Sequence, residues 1–195
     1  SGTFRDATYE GWSSGVFNCI ESPPGSFVDS STAIQLCPIG TYQPNSGQTT
    51  CIDASPGYFV DTIGSISQTA CEPGTYQPYS FEVACFSSEP GYYSDIHAAT
   101  NQIACIPGTF QPYSNSIFCY DSQPGHYAYI YAATNQVACP PGTFQPSVAK
   151  SSCIDAYTGH FVDSAGATNQ VVCSPGTYQN QQAQSSCKEA TPGTY

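Results

Sequence analysis

Eleven cysteines fall at positions 19, 37, 51, 71, 85, 105, 119, 139, 153, 173 and 187, and from Cys37 onward their gaps alternate 14, 20, 14, 20 without deviation. The one irregular gap is the first, from Cys19 to Cys37. The chain therefore has a 34-residue period. A fixed period of roughly 20–50 residues marks a repeat architecture, in which each unit buries its apolar face against its neighbours. Other residues keep the same step. Gly-Thr-Tyr/Phe-Gln recurs at 40–43, 74–77, 108–111, 142–145 and 176–179, and Gln recurs at 68, 102, 136 and 170. A second glycine with aromatics recurs as Gly57-Tyr58-Phe59, Gly91-Tyr92-Tyr93, Gly125-His126-Tyr127 and Gly159-His160-Phe161.

Each period divides into two similar halves, one opening at Cys37-Pro38-Ile39-Gly40 and the other at Ser55-Pro56-Gly57. Both read as a glycine turn, a short aromatic strand, a polar turn and a second short strand. Pro sets φ at the second turn position and Gly accepts the positive φ of the third. Segments of three to six residues between turns suit hairpin arms, and no stretch has helical periodicity with caps. The expected fold class is all-β: an elongated, disulfide-stapled tandem-repeat rod of short β-hairpins with almost no helix. The expected units are an atypical N-terminal repeat over 1–36, repeats over 37–70, 71–104, 105–138 and 139–172, and a truncated repeat over 173–195.

Two regular disulfide pairings are open. One closes the 14-residue gaps and leaves Cys19 over; the other closes the longer gaps and leaves Cys187 over. The first is favoured, because a 14-residue gap wraps one hairpin and the irregular first gap would be a closed loop only in the second. A closed loop of about 15 residues is worth ~3 kcal/mol in the chain-entropy model. Five would supply on the order of 10–15 kcal/mol if additive. That would replace the core that apolar residues scattered in twos and threes cannot form.

Composition narrows the function classes. Three Lys and Arg stand against 14 Asp and Glu, a formal net charge of −11. Three cations cannot form a nucleic-acid patch, and an anionic membrane surface would repel the chain. No apolar run approaches the roughly 18–20 residues of a transmembrane helix. With 15 Tyr and 10 Phe the chain is not of the disordered class. Disulfides on this scale imply an oxidising, extracellular setting. The opening Ser1-Gly2-Thr3-Phe4 has no initiator Met and no leader pattern, and is read as a mature form.

The motif Cys-Pro-x-Gly-Thr-Tyr at Cys37, followed by Cys51, resembles the ephrin-receptor-like cysteine-rich repeat and the first module of tumour-necrosis-factor-receptor cysteine-rich domains. The longer signature also resembles tandem repeats in large secreted proteins of aquatic microbes, archaea especially. The resemblance implies the pairs Cys37–Cys51, Cys71–Cys85, Cys105–Cys119, Cys139–Cys153 and Cys173–Cys187. It also implies an elongated rod with a cell-surface or extracellular role and no catalysis. The family usually has cysteines near Ser55 and Gln68. Their absence leaves half of each repeat without its own staple, to be held by neighbours.

Candidate chemistry is sparse. Zinc sites use cysteines two to four residues apart, and here the closest pair is 14 apart. His126 and His160 share a column with Tyr58 and Tyr92, which reads as packing, and His97 stands alone. Asp29, Asp61, Asp95 and Asp163 share one register, and Asp53, Asp121 and Asp155 another. Tyr129 and Ser87 interrupt these columns, so a solvated acidic face outweighs the minority reading of a Ca²⁺ site, and no cofactor is otherwise expected. Tyr42, Tyr76, Phe110, Phe144 and Tyr178 are the expected seam on which repeats stack, with a carbohydrate platform as the alternative. Gln43, Gln77, Gln111, Gln145 and Gln179 could form an amide ladder. No Asn-x-Ser/Thr sequon occurs, while abundant Ser and Thr leave O-linked glycans available.

The expected role is a structural subunit of an extracellular filament, a homopolymer joined head to tail. The alternative is a stalk or adhesin segment presenting a ligand surface; an enzyme is not expected. Gly2-Thr3-Phe4 aligns with Gly40-Thr41-Tyr42, so Cys19 aligns with Cys51 and its partner would lie before Ser1. Cys19 is thus expected to be a free thiol or intermolecular. Trp12 and Phe17 lie in a longer insertion. Residues 1–20 of one subunit are expected to pack on residues 173–195 of the next, with Thr194 and Tyr195 adding to a hairpin edge.

Overall fold

A computed structural model of the chain describes residues 3–5, 19–29, 33–191 and 193. Among these residues there is no helix, and 22 strands of two or three residues pair into eleven antiparallel hairpins, each strand with its successor. No sheet is wider than two strands. Hairpins are named below by the glycine before their first strand. The Gly40 hairpin joins Thr41–Tyr42 (β5) to Ile52–Asp53 (β6), with Thr41 opposite Asp53 and Tyr42 opposite Ile52. The same register recurs down the chain to Thr177 opposite Glu189. The first hairpin, Thr3–Arg5 with Cys19–Glu21, sets Thr3 opposite Glu21 and so falls into line with the Gly40 hairpin.

The glycines fall at 40, 57, 74, 91, 108, 125, 142, 159, 176 and 193, all with positive φ. From Gly40 onward the backbone therefore repeats with a 17-residue step, and the 34-residue period of the sequence is two such halves of different composition. The chain divides into two compact units, residues 1–87 with 94–102, and residues 88–93 with 103–195.

An isolated two-stranded hairpin is marginal in water. Here most are held to the next by three backbone hydrogen bonds. In the first unit the Gly40 N–H donates to Val60 C=O (2.7 Å), Gln43 N–H to Ser65 C=O (3.0 Å), and Gly64 N–H of the following loop to Cys37 C=O (2.8 Å). In the second, Gly108 N–H donates to Ala128 C=O (2.7 Å), Gln111 N–H to Ala133 C=O (2.9 Å), and Ala132 N–H to Cys105 C=O (2.8 Å). These bonds satisfy backbone groups that two-residue strands leave over.

A third hairpin reaches back to the first. A Cβ on Gly40 would lie 2.6 Å from the Phe81 carbonyl oxygen, and one on Gly108 2.6 Å from that of Ala149. Only glycine fits there. The carbonyl comes from the loop residue seven past its own glycine, and at 47, 64, 81, 98, 115, 132, 149, 166 and 183 that residue has positive φ. Six of these nine are not glycine: Phe81, Ala98, Asn115, Ala132, Ala149 and Ala183.

The core is two thin columns of mostly small side chains. Three residues before the turn glycines from Gly25 to Gly159, Ser22, Cys37, Ala54, Cys71, Ser88, Cys105, Ser122, Cys139 and Ala156 are all buried. Three residues after it the buried residue alternates between Gln and a small or β-branched one, as in Gln43, Val60, Gln77, Ser94, Gln111 and Ala128. The two columns sit where the interhairpin bonds form, so close backbone approach leaves no room for large side chains.

Candidate interaction surface and the staples that hold it

Disulfides join Cys37–Cys51, Cys71–Cys85, Cys105–Cys119, Cys139–Cys153 and Cys173–Cys187, with Cα–Cα distances of 5.7–5.8 Å. Each closes one half of a repeat. The other half also has a staple, contrary to the expectation that neighbours alone hold it. Gln68 occupies the place that Cys51 has in its hairpin, eleven past the glycine, and its Oε1 accepts the Ser55 N–H at 2.7 Å. Gln136 does the same for Gln123 N–H, and Gln170 for Tyr157 N–H, each at 2.7 Å. A side-chain amide thus closes the gap that sulfur closes in the alternate half.

The second glutamine column forms no amide ladder. Gln77 Nε2 donates to Ala84 C=O (2.7 Å), and its Oε1 accepts Tyr79 N–H (3.1 Å), both in its own loop. Gln43, Gln111, Gln145 and Gln179 repeat this pair of bonds. Both ends of the amide bond main-chain groups of its own hairpin, and among the described residues these amides do not bond one another. Among the described residues no buried side-chain nitrogen or oxygen lacks a partner.

Of the expected stacking seam, Phe144 is buried, Tyr42, Tyr76 and Phe110 are half-buried, and Tyr178 is exposed. Phe144 meets Tyr157, in the turn that opens the next hairpin, edge to face at 6.3 Å, while the contacts of Tyr76 and Phe110 run across their own hairpins. Tyr76 meets its strand partner Phe86 at 5.9 Å, and Phe110 meets Tyr120 at 6.0 Å. The alternate halves carry aromatics at the same place, Phe59, Tyr93, Tyr127 and Phe161, all half-buried. The aromatic column thus has the 17-residue step of the backbone; the signal was present in the second glycine motif.

The acidic columns stay on the surface. Asp29, Asp61, Asp95, Asp163, Asp53, Asp121 and Asp155 are all exposed. Among the described residues no three His, Cys, Asp or Glu side chains lie together in a way that could hold a metal ion. His97 Nδ1 lies 3.3 Å from Glu72 Oε2 with both side chains well exposed. The Nδ1 atoms of His126 and His160 lie 3.2 Å from the Pro124 and Thr158 carbonyl oxygens. Each histidine thus has a local partner.

The expected junction residues Trp12, Phe17, Thr194 and Tyr195 lie outside the described residues. Cys19 is described in backbone only, opposite Arg5. Its register is that of Cys51, and its side chain lies outside what is described.

The surface between Asp95 and Lys150 is unusual. Asp121 is its one Asp, Glu, Lys or Arg. Tyr113, Phe118, Tyr120, Tyr129, Ile130 and Tyr131 are exposed on two successive hairpins of the second unit. Phe118 and Tyr120 meet edge to face at 4.9 Å.

A family model described as tyrosine-protein kinase ephrin type A/B receptor-like matches residues 25–71, from the first described turn glycine through the Cys37–Cys51 hairpin to Cys71. Residues 25–71 are thus similar to an ephrin-receptor-like cysteine-rich repeat. Its disulfide hairpin recurs four more times at the 34-residue step. No curated protein matches the chain. Among the described residues no helix is long and apolar enough to cross a membrane.

Proposed function

We propose that this cysteine-rich chain is a non-catalytic structural segment of an extracellular filament, and that copies join head to tail by continuing the stacking of their hairpins. The supporting observation is the join itself. Successive hairpins are held by three main-chain hydrogen bonds that specify no side chain, so any hairpin of the same backbone form can take the next place. In the second unit, Cys173 C=O, Gly176 N–H and Gln179 N–H hold the positions of Cys37 C=O, Gly40 N–H and Gln43 N–H. A following hairpin, from a continuation of the chain or from another copy, meets the same three groups. Such a heterologous contact does not close on itself, so it propagates as a fibre. In this reading residues 1–20 of one copy pack on residues 173–195 of the next, with Trp12 and Phe17 as aromatic anchors. Cys19 is then a buried thiol or bonded to a cysteine of another chain. The resemblance to an extracellular receptor module and the density of disulfides support the location.

The exposed aromatics of the second unit favour one other role, a stalk or adhesin segment that presents a binding surface. Negative-stain microscopy separates the two. Long uniform fibres are expected from the chain, and their loss from a variant lacking residues 191–195 and carrying Trp12→Ala. Dispersed short particles from the unaltered chain, or undiminished fibres from the variant, would overturn the head-to-tail reading.

A further inference from the structure

The two kinds of hairpin differ in how far each can open, and that difference supports an inference independent of what the chain binds. Four spans connect the five disulfide loops: 51–71, 85–105, 119–139 and 153–173. No cysteine lies inside any of them. Each span holds one hairpin, those of Gly57, Gly91, Gly125 and Gly159. Single amide bonds close three of these, from Ser55, Gln123 and Tyr157 N–H to the Oε1 atoms of Gln68, Gln136 and Gln170. Main-chain bonds tie them to their neighbours, as from Gly57 N–H to Gln77 C=O (2.7 Å) and from Phe81 N–H to Ala54 C=O (2.9 Å).

Tension along the chain acts on the two kinds unequally. A two-stranded hairpin is marginal in water by itself. A cysteine-free hairpin pulled from its neighbours therefore keeps little to hold it shut, and its span can straighten to roughly 70 Å at about 3.3–3.6 Å per residue. A disulfide loop pulled from its neighbours cannot follow. Its ends stay 5.7–5.8 Å apart at Cα, however far the rest of the chain extends. Units coupled mainly to nearby units also open one after another rather than all together.

We infer that the chain is an extensible tether with covalent stops: under tension the four cysteine-free hairpins unreel in succession while the five disulfide loops stay closed and fix the reach. A filament segment and a stalk would use this property alike. The two kinds of half share one backbone form, so the stop can be moved. Ala54 and Gln68 stand three before and eleven after Gly57, as Cys37 and Cys51 stand about Gly40. The registers agree, Tyr58 opposite Ala70 as Thr41 is opposite Asp53, and Ala54 is as fully buried as Cys37. Cysteines at 54 and 68 thus meet the Cα separation that a disulfide requires.

Single-molecule stretching of the full chain, held by handles at its two ends and carrying Cys19→Ser, tests this. The oxidised chain should open in a ladder of separate steps that reclose on relaxation. A dithiol reductant gives each disulfide two electrons and two protons and itself closes to a disulfide. It should lengthen the fully stretched chain by roughly 200 Å, about 40 Å for each 14-residue loop at 3.3–3.6 Å per residue. Ala54→Cys/Gln68→Cys should shorten the stretched oxidised chain by about 40 Å and leave the reduced length as it was. Gln68→Ala should lower the opening force of one step and change no length. Opening of the whole oxidised chain in one all-or-none event would overturn the inference. So would a ladder that Gln68→Ala leaves untouched, or one that keeps every step after the 54–68 disulfide has formed.

Discussion

Replacing Gly40 with Ala tests whether close backbone approach sets the 17-residue step. Gly40 has φ +81 and Gly64 φ +73, so alanine at either position bears a left-handed backbone cost of roughly 1–2 kcal/mol. The two differ in what the new methyl meets. At Gly64 its nearest neighbour is Leu36 Cδ2 at 3.4 Å, an exposed side chain that can turn aside, and the Gly25 carbonyl oxygen lies at an ordinary 3.8 Å. At Gly40 it would lie 2.6 Å from the Phe81 carbonyl oxygen and 3.1 Å from its carbon, and this is main chain held by its own bonds. Relief requires the two hairpins to part, an overpacking cost of about 1–3 kcal/mol. The 2.7 Å bond from Gly40 N–H to Val60 C=O shares the strain, adding up to about 1 kcal/mol. Gly40→Ala is therefore expected to destabilise by roughly 3–5 kcal/mol and Gly64→Ala by roughly 1–2 kcal/mol. Guanidinium unfolding under non-reducing conditions measures both. Repeat arrays do not always unfold as one unit, so amide exchange at Gly40 and Ala54 is followed alongside. Equal destabilisation of the two variants, or unchanged exchange at Gly40 in the first, would refute the crowding account.

Two further outcomes follow from the staples. Gln77→Met keeps the shape of a fully buried side chain but removes two hydrogen bonds, so it should cost about 1–3 kcal/mol and speed exchange of the Tyr79 amide; Gln48→Met, at a half-buried amide with one bond to Ser46 C=O, should change stability by less than about 0.5 kcal/mol. Paired Cys71→Ser/Cys85→Ser should cost about 3 kcal/mol and Gln68→Ala about 1 kcal/mol in the same unfolding assay, since one removes a covalent loop closure and the other a single hydrogen bond; the reverse order would refute the view that the two staples do the same work at different strength.

Much of the architecture was legible before any coordinates. The cysteine gaps and the Gly-Thr-Tyr/Phe-Gln motif are local and periodic, so they reveal short hairpins and a repeat. They also place the turn glycines, because positive φ leaves a residue signature. The glutamines were visible as columns, but their use was not. An amide can bond another amide, its own loop or a distant main-chain group, and sequence spacing does not choose among these. In the structure the loop carbonyl and N–H of the same hairpin lie within reach of Gln77, while Gln68 stands where alternate hairpins have sulfur.

What the amino acids alone determined is the set of eleven turns and short strands, the cysteines that alternate halves carry, and the acidic, cation-poor surface. Tertiary structure decided the rest: the 17-residue step, the line of small buried residues, the positive φ of Phe81 and Ala98, and the exposure of Tyr113 and Tyr131. The reason is that hairpins are joined through main-chain N–H and C=O groups, which every residue but proline offers alike. Such bonds leave no mark on residue type. Their sequence trace is indirect, in the glycines that make room for a carbonyl and in the small side chains that let two backbones meet.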